Sequence, residues 1–154
     1  MTSQATPSPK SFDKTDRAQK QAVTFELDLR HAPAKVWRAL TEPALLAEWL
    51  LPVFELKLEP GAAFMFKTQA YPGWDGTVSC RMLEIEPQRK LSYQWDVPFL
   101  QTVVTFTLTP TAEGTNLRIV QSGFKPEQQQ EFGGARYGWT MMTGKLVELL
   151  ARTA

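Results

Sequence analysis

The chain has 154 residues, of which 43% are hydrophobic, and it carries 17 Lys or Arg residues against 16 Asp or Glu residues. This length predicts one domain with a substantial core, and the near balance of charge excludes a surface-wide field that would attract nucleic acid or an anionic membrane. Residues 1–21 contain almost no apolar side chains, so we expect a disordered tail followed by a single domain over residues 22–154.

Two further features of the composition bear on location. No apolar run approaches the ~20 residues that a membrane-spanning helix needs, and the tail lacks the apolar region of a signal peptide. The single Cys80 cannot form an intramolecular disulfide and is typical of a reducing compartment. We therefore expect a cytoplasmic protein without membrane insertion.

The chain after the tail begins with a strand pattern and continues with two short helices. Apolar residues alternate with polar ones from Val23 to Leu29, which predicts a strand with one buried face. Pro33 is suited to the first turn of a helix. Thr41, followed closely by Pro43, predicts the capped start of a second helix that ends near Trp49.

Six further segments are rich in β-branched or aromatic residues and are separated by turn signals. They cover residues 53–58, 63–68, 77–86, 90–96, 102–109 and 115–121. Short turns between consecutive strands predict an antiparallel meander. In the fifth of these segments Val104, Phe106 and Leu108 are expected to point inward, and the alternating threonines Thr105, Thr107 and Thr109 outward.

A last helix is predicted from Gly134 or Tyr137 to residue 151. Its apolar residues recur at helical spacing, namely Trp139, Met142, Leu146 and Leu149. The pair Gly133 and Gly134 is interpreted as a flexible hinge before this helix. The predicted fold is α+β, with a curved antiparallel seven-stranded sheet around a long C-terminal helix and two short helices between strands 1 and 2.

Several motifs, in this order, resemble one known family. They are residues 36–43, Trp49, Gly61, residues 83–87, 91–95 and 104–108, Gly114, residues 121–124, Gly138 and Trp139. This pattern is similar to the activator-of-Hsp90-ATPase-homologue (AHSA1-like) branch of the START-like, or SRPBCC, superfamily. The resemblance spans residues 23–151 and implies a helix-grip, Bet v 1-like fold that encloses a cavity between the sheet and the C-terminal helix.

No residue pattern points to a metal, a cofactor or a catalytic group. One Cys and one His cannot supply the three or four ligands of a zinc site, and Gly133-Gly134 lacks the context of a phosphate-binding loop. The sole histidine, His31, lies in a loop and is interpreted as solvated.

The candidate site follows from applying the helix-grip arrangement to the sequence. Residues expected to converge between sheet and helix are Phe64, Phe66, Tyr93, Trp95, Val104, Phe106, Gln121, Trp139 and Met142. Residues expected at the cavity mouth are Trp74, Arg136 and Tyr137. Periodicity does not distinguish side chains that line an open pocket from side chains that fill it. Trp74 either closes the pocket as a lid, forms a protein-contact patch or folds back on the sheet.

Three functions remain open at this point. The first is a protein that binds a small hydrophobic or aromatic molecule in an apolar cavity, which is the commonest kind of small-molecule site. The second is a stress-related cofactor of an Hsp90-type chaperone. The third is an enzyme such as a polyketide cyclase or aromatase, with Tyr93, Tyr137 and Gln121 as the candidates for its chemistry. We expect a monomer or a weak homodimer.

Overall fold

The computed structural model describes residues 9–16, 18, 21–70 and 72–153. A 3₁₀ helix at Pro9–Phe12 precedes the main elements, which are β1 (Ala22–Leu29), α1 (Pro33–Thr41), α2 (Pro43–Trp49), β2 (Val53–Phe54), β3 (Ala63–Lys67), β4 (Thr77–Glu86), β5 (Lys90–Val97), β6 (Leu100–Pro110), β7 (Thr115–Ser122) and α3 (Gln129–Arg152). No helix of the described residues is both long and apolar enough to cross a bilayer.

The sheet has seven antiparallel strands in the order β1-β7-β6-β5-β4-β3-β2. Burial alternates along β1, β6 and β7, as in β6, where Val104, Phe106 and Leu108 are buried. The predicted α+β fold, with a curved seven-stranded antiparallel sheet around a long C-terminal helix, is confirmed.

The two short helices lie where the sequence places them, but their junction differs from the prediction. Thr41 does not cap α2. Its hydroxyl donates to the carbonyl of Trp37 at 2.8 Å at the end of α1, and Glu42 precedes α2 in extended conformation without a side-chain cap. Pro43 fixes the first turn of α2, and the buried indole N–H of Trp49 donates to the Ala39 carbonyl at 2.8 Å. These contacts hold the bend between the helices.

The terminal helix begins earlier than predicted. α3 starts at Gln129, so Gly133 and Gly134 lie inside the helix and do not form a hinge before it. Each glycine costs about 1 kcal/mol relative to Ala. Phe132 compensates, because it is buried and its ring packs edge-on against Phe124 with centroids 5.4 Å apart.

Part of the predicted disordered tail is ordered. Phe12 is buried in the core, and the amide of Lys14 donates to the Thr24 carbonyl at 2.8 Å along the free edge of β1. Asp13 forms an ion pair with Arg136 of α3 at 2.7 Å. These three contacts dock residues 12–15, termed the N-terminal strap below, across β1 and α3. Residues 1–8, 17, 19 and 20 of the predicted tail lie outside the described residues.

Candidate ligand-binding cleft

The centre of the space between sheet and helix is filled by aromatic rings. Phe64 and Tyr93 pack edge to face with centroids 5.1 Å apart, and Tyr93 lies 5.9 Å from Phe106. Phe106 in turn contacts the indole of Trp139 at 6.1 Å. Five of the predicted lining residues belong to this packed core: Phe64, Phe66, Tyr93, Val104 and Phe106. At this level the side chains fill the predicted cavity.

An apolar cleft of about 390 Å³ opens beside this core, between the first half of α3 and the adjacent ends of β4, β5 and β6. Predicted residues that line it are Trp74, Trp95, Gln121, Trp139 and Met142. Residues that the sequence analysis missed are Leu51, Thr68, Val78, Val97, Phe99, Leu100, Glu131, Gly134, Ala135 and Gly138. The volume lies within the range of small-molecule sites, roughly 300–1,000 Å³.

Two of the residues on the helix wall of the cleft are glycines. Gly134 and Gly138 are four residues apart and therefore lie on the same side of α3. A Cβ built on Gly134 would have no heavy atom within 4 Å, whereas one on Gly138 would lie 3.4 Å from the terminal methyl of Met142. The spacing of these glycines is the sequence signal that could have located the cleft.

Trp74 forms one side of the cleft from the loop between β3 and β4. Its side chain is half-buried, and its indole N–H donates to the Thr77 carbonyl at 2.9 Å. Gly76 closes the loop with φ of +86°, where a Cβ would collide with the Thr68 carbonyl oxygen. The Asp75 carboxylate accepts a 2.9 Å hydrogen bond from the amide of Thr77, which lowers the pKa of Asp75. The indole thus folds back toward β4.

The floor of the cleft is a chain of three hydrogen bonds. The Trp139 indole N–H donates to Oε1 of Gln121 at 2.8 Å, and Nε2 of Gln121 donates to Oγ1 of Thr102 at 3.0 Å. The Thr102 hydroxyl then donates to the Trp95 carbonyl at 2.7 Å. Gln121 and Thr102 are both buried, and this chain gives the amide oxygen, the amide nitrogen and the hydroxyl at least one hydrogen-bond partner each.

The two other residues predicted at the mouth do not line the cleft. Each step along a helix turns the side chain by about 100°, and the cleft-lining residues of α3 form one stripe that does not include positions 136 and 137. Arg136 points to the strap and binds Asp13, while Tyr137 lies on the outer face of α3 with 70% of its surface exposed.

Titratable groups are scarce at this site. Among the described residues that line the cleft, Glu131 alone has a titratable side chain. Tyr93 is fully buried in the aromatic core, and this burial raises the pKa of its phenol, with a further contribution from Cys80. Burial, with a smaller contribution from the charge of Asp96, likewise raises the pKa of the Cys80 thiol. Both groups are therefore neutral at pH 7.

A larger groove of about 610 Å³ lies beside the strap, on the side of β1 and β7 that faces away from the core. It mixes charges of both signs, with Lys14 and Arg118 beside Asp16 and Glu26. About half of this wall is polar, whereas the wall of the cleft beside α3 is mostly apolar, and we therefore take the apolar cleft as the candidate site.

The architecture and the cleft define a helix-grip protein with a small-molecule-sized site between sheet and helix. Residues 30–151 match the family described as activator of Hsp90 ATPase homolog 1-like protein, and the chain belongs to this family. None of the curated proteins matches it significantly.

Solved structures of similar proteins agree with the assignment. Protein MLL2253 from Mesorhizobium loti is 42% identical, with a TM-score of 0.80 over 87% of this chain and 99% of that chain. Protein NE0264 from Nitrosomonas europaea is 24% identical, with a TM-score of 0.73 over 90% and 99% of the two chains. DynU16, a putative protein in the dynemicin biosynthetic locus, shares 24% identity and a TM-score of 0.73 over 86% of this chain and 48% of its own. The last two share the fold.

Proposed function

We propose that the protein binds a small hydrophobic or aromatic molecule in the cleft between α3 and the sheet. The observation that carries this proposal is an apolar cleft of about 390 Å³ with indole rings of Trp74, Trp95 and Trp139 in its walls. Flat aromatic walls favour flat apolar ligands, because ring stacking adds to the free energy gained by burying apolar surface. The proposal places the protein in the cytoplasm as a monomer or weak homodimer.

The shape of the helix wall supports the same proposal. Glycines in a helix interior reduce stability, and Gly134 leaves space that a side chain would occupy. A ligand in the cleft would fill that space. Within the proposal, Trp95 and Met142 contact the ligand, and the packed core behind them keeps the wall rigid.

A titration by two-dimensional ¹⁵N–¹H NMR tests the proposal with a panel of aromatic polyketides, flavonoids, sterols and fatty acids. We expect saturable shifts at the amides of Trp95, Gly134, Gly138 and Met142 and at the Trp74 indole N–H. Absence of saturable shifts at these positions with every compound would overturn the proposal.

A pair of variants makes the test specific. Gly134→Leu places a side chain in the cleft, and we expect affinity to fall by at least about tenfold, which corresponds to ~1.4 kcal/mol. Gly133→Leu is the matched control, because it adds the same side chain one residue away. A Cβ at Gly133 would have no heavy atom within 4 Å, and Gly133 is not one of the residues that line this cleft. Equal losses in both variants would contradict binding in the cleft.

The family description favours one second function, that of a cofactor for an Hsp90-type chaperone. In that case the outer surface of the domain carries the activity. Two results would favour this function. The protein would co-purify with the chaperone, and the Gly134→Leu variant would stimulate the ATPase turnover of the chaperone as strongly as the wild type does. No effect of the wild type on turnover would count against it.

A further inference from the structure

The Gln121 amide, which lies in the floor of the cleft, has unused hydrogen-bonding capacity. A primary amide offers two N–H donors and two acceptor lone pairs. Among the described residues the Gln121 side chain makes two hydrogen bonds, one to Thr102 and one to Trp139, although only 4% of the residue surface is exposed. One N–H and one lone pair therefore remain.

The direction of the hydrogen-bond chain fixes the orientation of the amide. An indole N–H can only donate, so the amide atom that faces Trp139 is the oxygen and the nitrogen faces Thr102. The Thr102 hydroxyl gives its own proton to the Trp95 carbonyl, so its oxygen is free to accept from Gln121. If the amide were flipped, its NH₂ group would face the indole N–H of Trp139, so that two donors would meet without an acceptor. Nε2 therefore stays on the side of Thr102 and keeps its second N–H.

A buried donor without a partner is unfavourable by roughly 1–3 kcal/mol. A water molecule in a hydrated cleft can accept such a hydrogen bond. A hydrophobic ligand that displaces this water must either replace the hydrogen bond or leave the N–H unpaired. The indole N–H groups of two other cleft residues are already committed, because Trp74 donates to the Thr77 carbonyl and Trp139 donates to Gln121.

We propose that Gln121 determines ligand specificity by donating its second N–H to a carbonyl oxygen of the ligand, so that the cleft selects aromatic ketones over the corresponding hydrocarbons. This inference rests on the proposed binding function. A carbonyl is the best match, because it accepts a hydrogen bond and, unlike a hydroxyl group, brings no proton that would itself need an acceptor in an apolar wall.

Two compounds that differ in one oxygen test the inference. 2-Acetylnaphthalene carries the carbonyl, and in 2-ethylnaphthalene two hydrogens replace the carbonyl oxygen on the same carbon skeleton. We expect the ketone to bind the wild-type protein roughly three- to tenfold more tightly, the range that one neutral hydrogen bond supplies. Gln121→Met retains the length of the side chain and removes the amide, so the two compounds should then bind equally.

A second readout needs no variant. The two protons on Nε2 give separate ¹⁵N–¹H signals, and one of them is committed to Thr102. The ketone should move the other proton downfield, and the ethyl compound should not. This measurement remains decisive if Gln121→Met, which leaves the Trp139 indole unpaired, does not fold.

The outcomes separate this inference from the function on which it rests. Equal affinity for both compounds, with no downfield shift of an Nε2 proton, would overturn the role of Gln121 and leave binding in the cleft intact. Saturable binding of neither compound, nor of any compound in the wider panel, would overturn both.

Discussion

The ion pair between Asp13 and Arg136 provides a sharp test of how the N-terminal strap is held. Oδ2 of Asp13 lies 2.7 Å from Nη2 and 2.9 Å from Nε of Arg136. The substitution Asp13→Asn removes the charge but keeps Oδ1, which accepts from the Thr15 amide at 2.9 Å. The strap turn should therefore persist, and the variant reports on the charge.

The expected loss of stability lies between the values for exposed and buried pairs. The Arg136 and Asp13 side chains are 27% and 12% exposed, respectively. Exposed pairs contribute roughly 0–1 kcal/mol, whereas removing one partner of a buried pair costs about 3–5 kcal/mol. After allowance for solvent screening we expect Asp13→Asn to lower the free energy of unfolding by about 1–2 kcal/mol, a fall in Tm of roughly 2–8 °C.

The effect should depend on pH in a defined direction. Burial alone would raise the pKa of Asp13, but hydrogen bonds from Thr15 and the bond and charge of Arg136 outweigh it, and the pKa falls below its ordinary value of 3.8. A lowered pKa in the folded state stabilises the protein above the unfolded-state pKa, and this contribution is lost as the pH falls through the folded-state pKa. The difference between wild type and Asp13→Asn should be complete at pH 7 and shrink below pH 4.

The assay is urea unfolding followed by tryptophan fluorescence at pH 7, 5, 4 and 3, on wild type, Asp13→Asn, Arg136→Gln and the double variant. The coupling energy from this double-mutant cycle should be about 1–2 kcal/mol at pH 7. A coupling below roughly 0.3 kcal/mol, or a difference between wild type and Asp13→Asn that does not change with pH, would refute the reasoning.

Two further predictions concern the core and the end of α3. Phe106→Ala should cost about 3–5 kcal/mol in urea unfolding, because this residue is 1% exposed and packs against the rings of Trp49, Tyr93 and Trp139; a cost below roughly 1 kcal/mol would show that the centre is not filled. Lys35→Met should cost about 1–2 kcal/mol and speed amide hydrogen exchange in the last turn of α3, because Nζ of Lys35 donates to the carbonyls of Leu150 and Thr153 at 2.8 and 2.7 Å. Unchanged exchange there would argue against this cap.

The sequence predicted the strands well because burial on one face leaves a period of two. In β1 and β6 every second residue is buried for most of the strand. The sequence shows the same alternation, because apolar residues such as Val, Phe and Leu occupy the buried positions and more polar residues such as Thr lie between them. The start of α3 was missed for the opposite reason. The low helix propensity of Gly133 and Gly134 opposes a helix there. The packing of Phe132 on Phe124 outweighs this propensity. Phe124 lies outside the helix, so the helical spacing of apolar residues gives no sign of this contact.

The strap and the cleft depend on features that periodicity does not encode. Phe12 is a single apolar residue in a polar segment, so no repeating pattern reveals that it is buried. The cleft depends on where side chains are absent, at Gly134 and Gly138, and on how far the rings of the core extend. The sequence was sufficient to predict which positions face inward. It was not sufficient to predict which of these side chains pack in the core and which line the open cleft.

Trp139 shows why core and cleft are difficult to separate by removing side chains. Its ring packs on Phe106 in the core and lies 6.3 Å from the ring of Trp95 at the cleft, and its N–H orients Gln121. A Trp139→Ala variant would therefore lose stability, the cleft wall and the amide orientation together. Adding a side chain at Gly134, where space is already open, changes the cleft and leaves these contacts in place, so a loss of binding there reports on the site itself.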